Sequence, residues 1–113
     1  MNFFVKTLLS ALAAFIVAYL LPGVYINSFF SAILLAVVIA LLNAFVKPIL
    51  VIFTIPLTVF TLGLFLLVIN AIIILLANSI VPGFEVSGFW WAVLFSILLS
   101  ITNSLLTDLS KSK

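Results

Sequence analysis

The stretch NAFVKPILVIFTIPLTVFTLG, Asn43 to Gly63, divides this chain and decides its architecture. It carries Lys47, the only charged residue between Lys6 and Glu85, and two of the four prolines, Pro48 and Pro56. Apolar runs flank it at about residues 3–21 and 29–46 on one side and 62–80 and 89–107 on the other. Each is close to the ~20 residues that cross the hydrocarbon core as a helix. The segment 48–61 between them is apolar but only about fourteen residues long, with Pro56 in its middle. That length suits an interfacial or re-entrant segment better than a fifth span. Its backbone polar groups then need helix, water or protein partners, because lipid offers none.

Composition agrees. Of 113 residues 68% are hydrophobic and 5% charged, and the mean hydropathy is +1.66. Six charged residues cannot make the polar shell of a soluble domain, whereas the bilayer suits such a chain as solvent. One bundle, a single integral-membrane domain over 1–113, is the core it can build. There is no cysteine and no histidine, and the side-chain carboxylates are Glu85 and Asp108 alone. No metal site, catalytic residue or cofactor site is expected from so little raw material. The net charge of +2 comes from four lysines, too few and too scattered for a nucleic-acid surface.

Sliding the sequence on itself by sixty residues, without a gap, reveals a repeat. Leu21-Pro22-Gly23 falls on Val81-Pro82-Gly83, Phe29 on Phe89, Ala32 on Ala92, Asn43 on Asn103, Ala11 on Ala71 and Ser10 on Asn70. A Pro-Gly and an intramembrane Asn shared in one register point to duplication. The first apolar run therefore has a counterpart deep in the chain and reads as a structural helix rather than a leader. The expected fold is all-α. Four transmembrane helices form two duplicated hairpins, about 1–47 and 62–107, in the same orientation, with the segment 48–61 between them. The hairpin tips are Pro22–Ser28 and Pro82–Gly88, where Pro and Gly turn the chain and Tyr19, Tyr25, Trp90 and Trp91 favour the interface. Lys6, Lys47, Lys111 and Lys113 then all fall on one face, and the positive-inside rule makes that face cytoplasmic. A fifth span would invert the second repeat and put Lys111 and Lys113 outside.

Small residues recur every four positions. The second apolar run has Ala32, Ala36, Ala40 and Ala44; the last has Ala92, Ser96, Ser100 and Ser104; the first has Ser10, Ala14 and Ala18. Such stripes let helices approach closely in lipid. They predict packing of the second apolar helix against the last through Ala36, Ala40, Ser96 and Ser100, within one chain or between copies. The serines can also bond back to their own helix. Asn43, Asn70 and Asn103 are amides within apolar helices and should face protein or water, as register-fixing hydrogen bonds or as the lining of a polar path. Lys47 is expected to snorkel to the headgroups as an anchor, with anionic-lipid contact as the sharper alternative.

The stretches LLNAFVKPILVIFTIPLTVFTLGLFLLVINA, Leu41 to Ala71, and VPGFEVSGFWWAVLFSILLS, Val81 to Ser100, resemble the superfamily IV phage-holin family, the four-span YvlD-like bacterial membrane proteins. Asn43, Lys47-Pro48, Pro56-Leu57-Thr58, Leu62-Gly63, Asn70-Ala71, Pro82-Gly83-Phe84 and Gly88-Phe89-Trp90 carry the resemblance, which runs in order along nearly the whole chain. It implies a multi-pass protein of the bacterial cytoplasmic membrane, holin-like, self-associating and without enzymatic activity. A non-lytic envelope or stress-associated protein, partnering another membrane protein, is the alternative. A small transporter or channel fits less well, because polar groups are so few.

Overall fold

The computed structural model describes residues 2–111, so Ser112 and Lys113 lie outside the described residues. Seven elements follow one another: α1 (Phe3–Leu20), β1 (Val24–Ile26), α2 (Phe29–Phe53), α3 (Ile55–Phe60), α4 (Phe65–Ile80), β2 (Phe84–Val86) and α5 (Phe89–Lys111). Asn2 caps α1, its side chain accepting from the Val5 N–H at 2.9 Å. The helix ends where the Leu21 N–H bonds the Val17 carbonyl at 3.1 Å and Pro22 can donate nothing further. α4 ends the same way sixty residues on, with the Val81 N–H on the Ala77 carbonyl at 2.9 Å before Pro82.

The tips are not plain turns. β1 and β2 pair antiparallel, with Val24 opposite Val86, Tyr25 opposite Glu85 and Ile26 opposite Phe84. The pairing is extended symmetrically by Asn27 N–H to the Gly83 carbonyl (2.7 Å) and Ser87 N–H to the Gly23 carbonyl (2.8 Å). Residues sixty apart thus exchange matching bonds, and both Pro-Gly tips lie at the same end of the molecule. Val24, Ile26 and Phe84 turn inward, while Tyr25 and Glu85 are exposed. Val-Tyr-Ile and Phe-Glu-Val carry that alternation in their sequence, but three residues are too few to stand out as strands in an apolar chain.

The connecting segment also differs from expectation. α2 does not stop near Lys47; it runs through Pro48 to Phe53. Proline lacks the N–H that the Ala44 carbonyl would accept, yet Ala44 and Pro48 are exposed, so the freed carbonyl is not sealed in a dry core. Thr54 separates α2 from α3, its hydroxyl bonding back to the Leu50 carbonyl at 2.7 Å. α3 closes with Leu62 N–H on the Val59 carbonyl (3.0 Å) and Gly63 N–H on the Thr58 carbonyl (2.8 Å), a Schellman-type cap. Leu62 occupies the left-handed position there (φ 57°), where glycine is usual, and its side chain is 92% exposed.

The helices form a ring in which α1 packs on α2, α2 on α4, α4 on α5 and α5 on α1. α2 and α5 stand diagonally across it, without close backbone contact among the described residues. The expected seam of α2 directly against α5 is therefore not formed within the chain. The four-residue stripes specify a small face, not the helix that covers it, and here α1 and α4 stand between. Alanine supplies nine of the nineteen buried apolar side chains among the described residues, while Phe4, Phe30, Phe45, Phe53, Phe60 and Trp90 point outward. Small residues inside and large ones outside is the arrangement of helices packed in lipid.

Candidate functional site: an interior polar crevice

At the ribbon end the bundle is closed. Phe84 and Phe95 are fully buried, with ring centroids 5.5 Å apart, and Leu35, Ala32 and Ala92 fill the space around them. The ribbon is locked locally. Ser31 Oγ donates to the Pro82 carbonyl at 3.2 Å, and Asn78 Oδ1 accepts from the Val86 N–H at 3.2 Å. Asn78 therefore serves the tip backbone.

Away from the ribbon the small side chains do not fill the ring, and a crevice in three adjoining lobes remains. The central lobe, about 230 Å³, lies between Ala14 of α1, Ala36, Ala40 and Asn43 of α2, and Ser100 and Asn103 of α5. A second lobe of about 380 Å³ shares Ser10, Ala36, Ala40 and Asn103 with it and extends to Lys6, Thr7 and Thr107. A third of about 100 Å³ shares Asn43 and Ser100 and reaches Lys47, Asn70 and Ser96. The structure so brings Ala36, Ala40, Asn43, Lys47, Asn70, Ser96, Ser100 and Asn103 around one interior space.

Their arrangement follows the sixty-residue repeat. Ser10 and Asn70 occupy matching positions, as do Asn43 and Asn103. Folding crosses them: Ser10 Oγ donates to Asn103 Oδ1 at 3.3 Å between α1 and α5, while Asn70 of α4 and Asn43 of α2 both line the third lobe without bonding each other. The Ser10–Asn103 bond therefore joins one hairpin to the other. Ser96 is buried and bonds back to the Val93 carbonyl at 2.9 Å. Asn43 is not near a helix end, since α2 continues ten residues beyond it. Lys47 likewise does not terminate α2; it is half-buried on the crevice wall. Lys6, Thr7 and Thr107 were not expected in the lining. The repeat held the signal for part of it, because Thr107 is the sixty-residue counterpart of Lys47.

Among the described residues the crevice is lined by hydroxyls, amides, two lysines and apolar side chains, without a carboxylate. Among the described residues no three His, Cys, Asp or Glu side chains gather in a metal-holding group. What the lining can do is hydrate, donate hydrogen bonds and attract negative charge.

Helices α1, α2 and α5 are long and apolar enough to cross a membrane, and α4 is a shorter apolar helix of 16 residues, about 24 Å at the helical rise. With the apolar exterior and small-residue interior, they define a helical integral membrane protein. The chain belongs to the family described as mycobacterial 4 TMS phage holin, superfamily IV, which matches residues 1–105. It is 38% identical over 103 residues to the Bacillus subtilis (strain 168) protein named "Uncharacterized membrane protein YvlD", covering 90% of this chain and 87% of that relative. It is also 38% identical over 112 residues to "Uncharacterized protein SCO3922" of Streptomyces coelicolor, covering 90% of both. No solved structure matches the chain significantly. The resemblance read from the Lys47-Pro48 and Pro82-Gly83 motifs is thus met by the family.

Proposed function

We propose that this chain is a holin-like protein of the bacterial cytoplasmic membrane that self-associates there and permeabilises it, without enzymatic activity. Its two hairpins, derived by duplication, stand in one orientation with the ribbon outside and both termini in the cytoplasm. Lys6, Lys47 and Lys111, carried by helix segments away from the ribbon, support that orientation. The interior crevice carries the functional reading. Asn43, Asn70, Ser100 and Asn103 are costly in a membrane protein unless they meet water or one another. They are held on the two diagonally opposed helices and at the seams between hairpins. Hairpins that part around the ribbon turn this lining toward a neighbouring copy, and several copies then share a hydrated path.

Induced expression with dye uptake and viability tests this. Wild-type protein should admit an impermeant dye, and Asn43→Leu/Asn103→Leu should reach the membrane at the same level yet admit about tenfold less. Wild-type protein accumulating without dye uptake would contradict permeabilisation. It would favour the second reading, a non-lytic envelope protein bound to another membrane protein. One observation favours that alternative: Phe84 and Phe95 close the ribbon end, so the crevice of a single chain is blind.

A further inference from the structure

We propose that the crevice is a binding site for a phosphate-bearing anion, held between Lys6 and Lys47 and hydrogen-bonded by the amides and hydroxyls of its walls. Charge carries this first. Among the described residues the lining includes two lysines and no carboxylate, and the two acidic side chains are elsewhere: Glu85 on the exposed face of the ribbon and Asp108 on the exposed side of α5. The placement of the lysines carries it further. The crevice has two related halves, Ser10, Ala40, Asn103 and Thr107 in one, Asn70, Ser100, Asn43 and Lys47 in the other, each member matching its counterpart at sixty residues. The sequence counterpart of Lys47 is Thr107 and that of Lys6 is Leu66. Each half nevertheless holds one lysine, from α1 in the first and from α2 in the second. Lys47 is half-buried against its lobe, and Lys6 is exposed at the mouth of the other, so both ammonium groups are placed to meet an anion entering the crevice.

The walls supply donors without occupying the space. Asn43, Asn70 and Ser100 have no side-chain hydrogen-bond partner among the described residues, so their donors remain available. Alanines at 14, 36 and 40 leave the room. Depth fits a membrane source as well: Lys47 lies eighteen residues along α2 from its ribbon end, about 27 Å at the helical rise and near the ~30 Å headgroup boundary. An anionic phospholipid headgroup and a free phosphate compound present the same chemistry to these groups.

Thermal unfolding of the purified full chain in a neutral detergent tests the site, independently of permeabilisation. The probes are dioleoylphosphatidylglycerol, dioleoylphosphatidylcholine and sodium phosphate. A ligand that binds only the folded chain raises the midpoint. Phosphatidylglycerol should raise it by about 4 °C or more, on the scale expected for a chain of this size, and phosphatidylcholine by much less. A rise with phosphatidylglycerol and none with sodium phosphate identifies a lipid as the source; an equal rise with sodium phosphate identifies a free phosphate compound. Lys6→Gln/Lys47→Gln should abolish the shift, and Asn43→Leu, which leaves the charge unchanged, should reduce it at least by half. Gel filtration checks that each variant is folded, and Ser100→Val serves as a second neutral variant. Equal shifts from both lipids, or a shift that survives the double lysine variant, would overturn the site. Loss with the lysines but full retention in both neutral variants would also overturn it, by placing the anion on the rim.

Discussion

Gly23 and Trp91 compete for one place at the ribbon. A Cβ built on Gly23 runs into the indole of Trp91, so the ring packs flat against a bare backbone. The matching position in the other half, Gly83, faces Ser31 instead, whose Oγ would lie 2.6 Å from an added Cβ, and its φ of 86° is one that side chains rarely adopt. Gly23→Ala should therefore cost about 1–3 kcal/mol by overpacking, read as a lowered midpoint of thermal unfolding in detergent. Gly23→Ala with Trp91→Ala, which removes the indole that the new Cβ would meet, should be more stable than the sum of the two single changes. Strict additivity would show that the indole does not rest on Gly23. At this scale the sequence was informative where it repeated. The correspondences Ser10 with Asn70 and Asn43 with Asn103 marked the polar residues of the crevice. They did not show that Ser10 would bond Asn103, because a one-dimensional repeat names equivalent positions and not contacts.

Among the elements, α2 and α5 were legible as small-faced helices, but their partners were not. Spacing of four brings Ala32, Ala36 and Ala40, or Ala92, Ser96 and Ser100, onto one face. Any neighbouring helix can satisfy such a face, and the ring places α1 and α4 there. The stripes consequently change character along their length. Near the ribbon Ala92 is fully buried, whereas Ser100, two turns on, is open to the crevice. Ala92→Leu should then cost about 1–3 kcal/mol, while Ser100→Leu should keep the wild-type stability within about 0.5 kcal/mol. Circular dichroism melts of both purified variants decide it. Equal losses would mean that the seam is tight throughout and the crevice closed. The end of α2 was misread for a separate reason. Proline is a reliable stop when the carbonyl it strands would be buried, and Ala44 is exposed. The strands were missed because each is only three residues long.

Over the whole molecule, the repeat becomes a pairing. Two hairpins meet at an antiparallel ribbon, their seams α1–α5 and α2–α4 correspond, and the interior is filled by apolar side chains beside the ribbon and opens into the amide- and hydroxyl-lined crevice farther along. The ribbon sets both Pro-Gly tips at one end of the molecule. The absence of cysteine from the chain allows a direct test in membranes. Tyr25 and Glu85 are exposed, opposite each other, and in the same register as the hydrogen-bonded pair Asn27 and Gly83. Their Cα atoms should lie about 5.5 Å apart, within the span of a disulfide. Tyr25→Cys/Glu85→Cys, oxidised in native membranes, should form an intramolecular cross-link in nearly every chain, seen as a reductant-sensitive loss of both thiols from a species of monomer size. Two thiols that stay free, or that link only chain to chain, would contradict the pairing of the tips and with it the enclosed crevice.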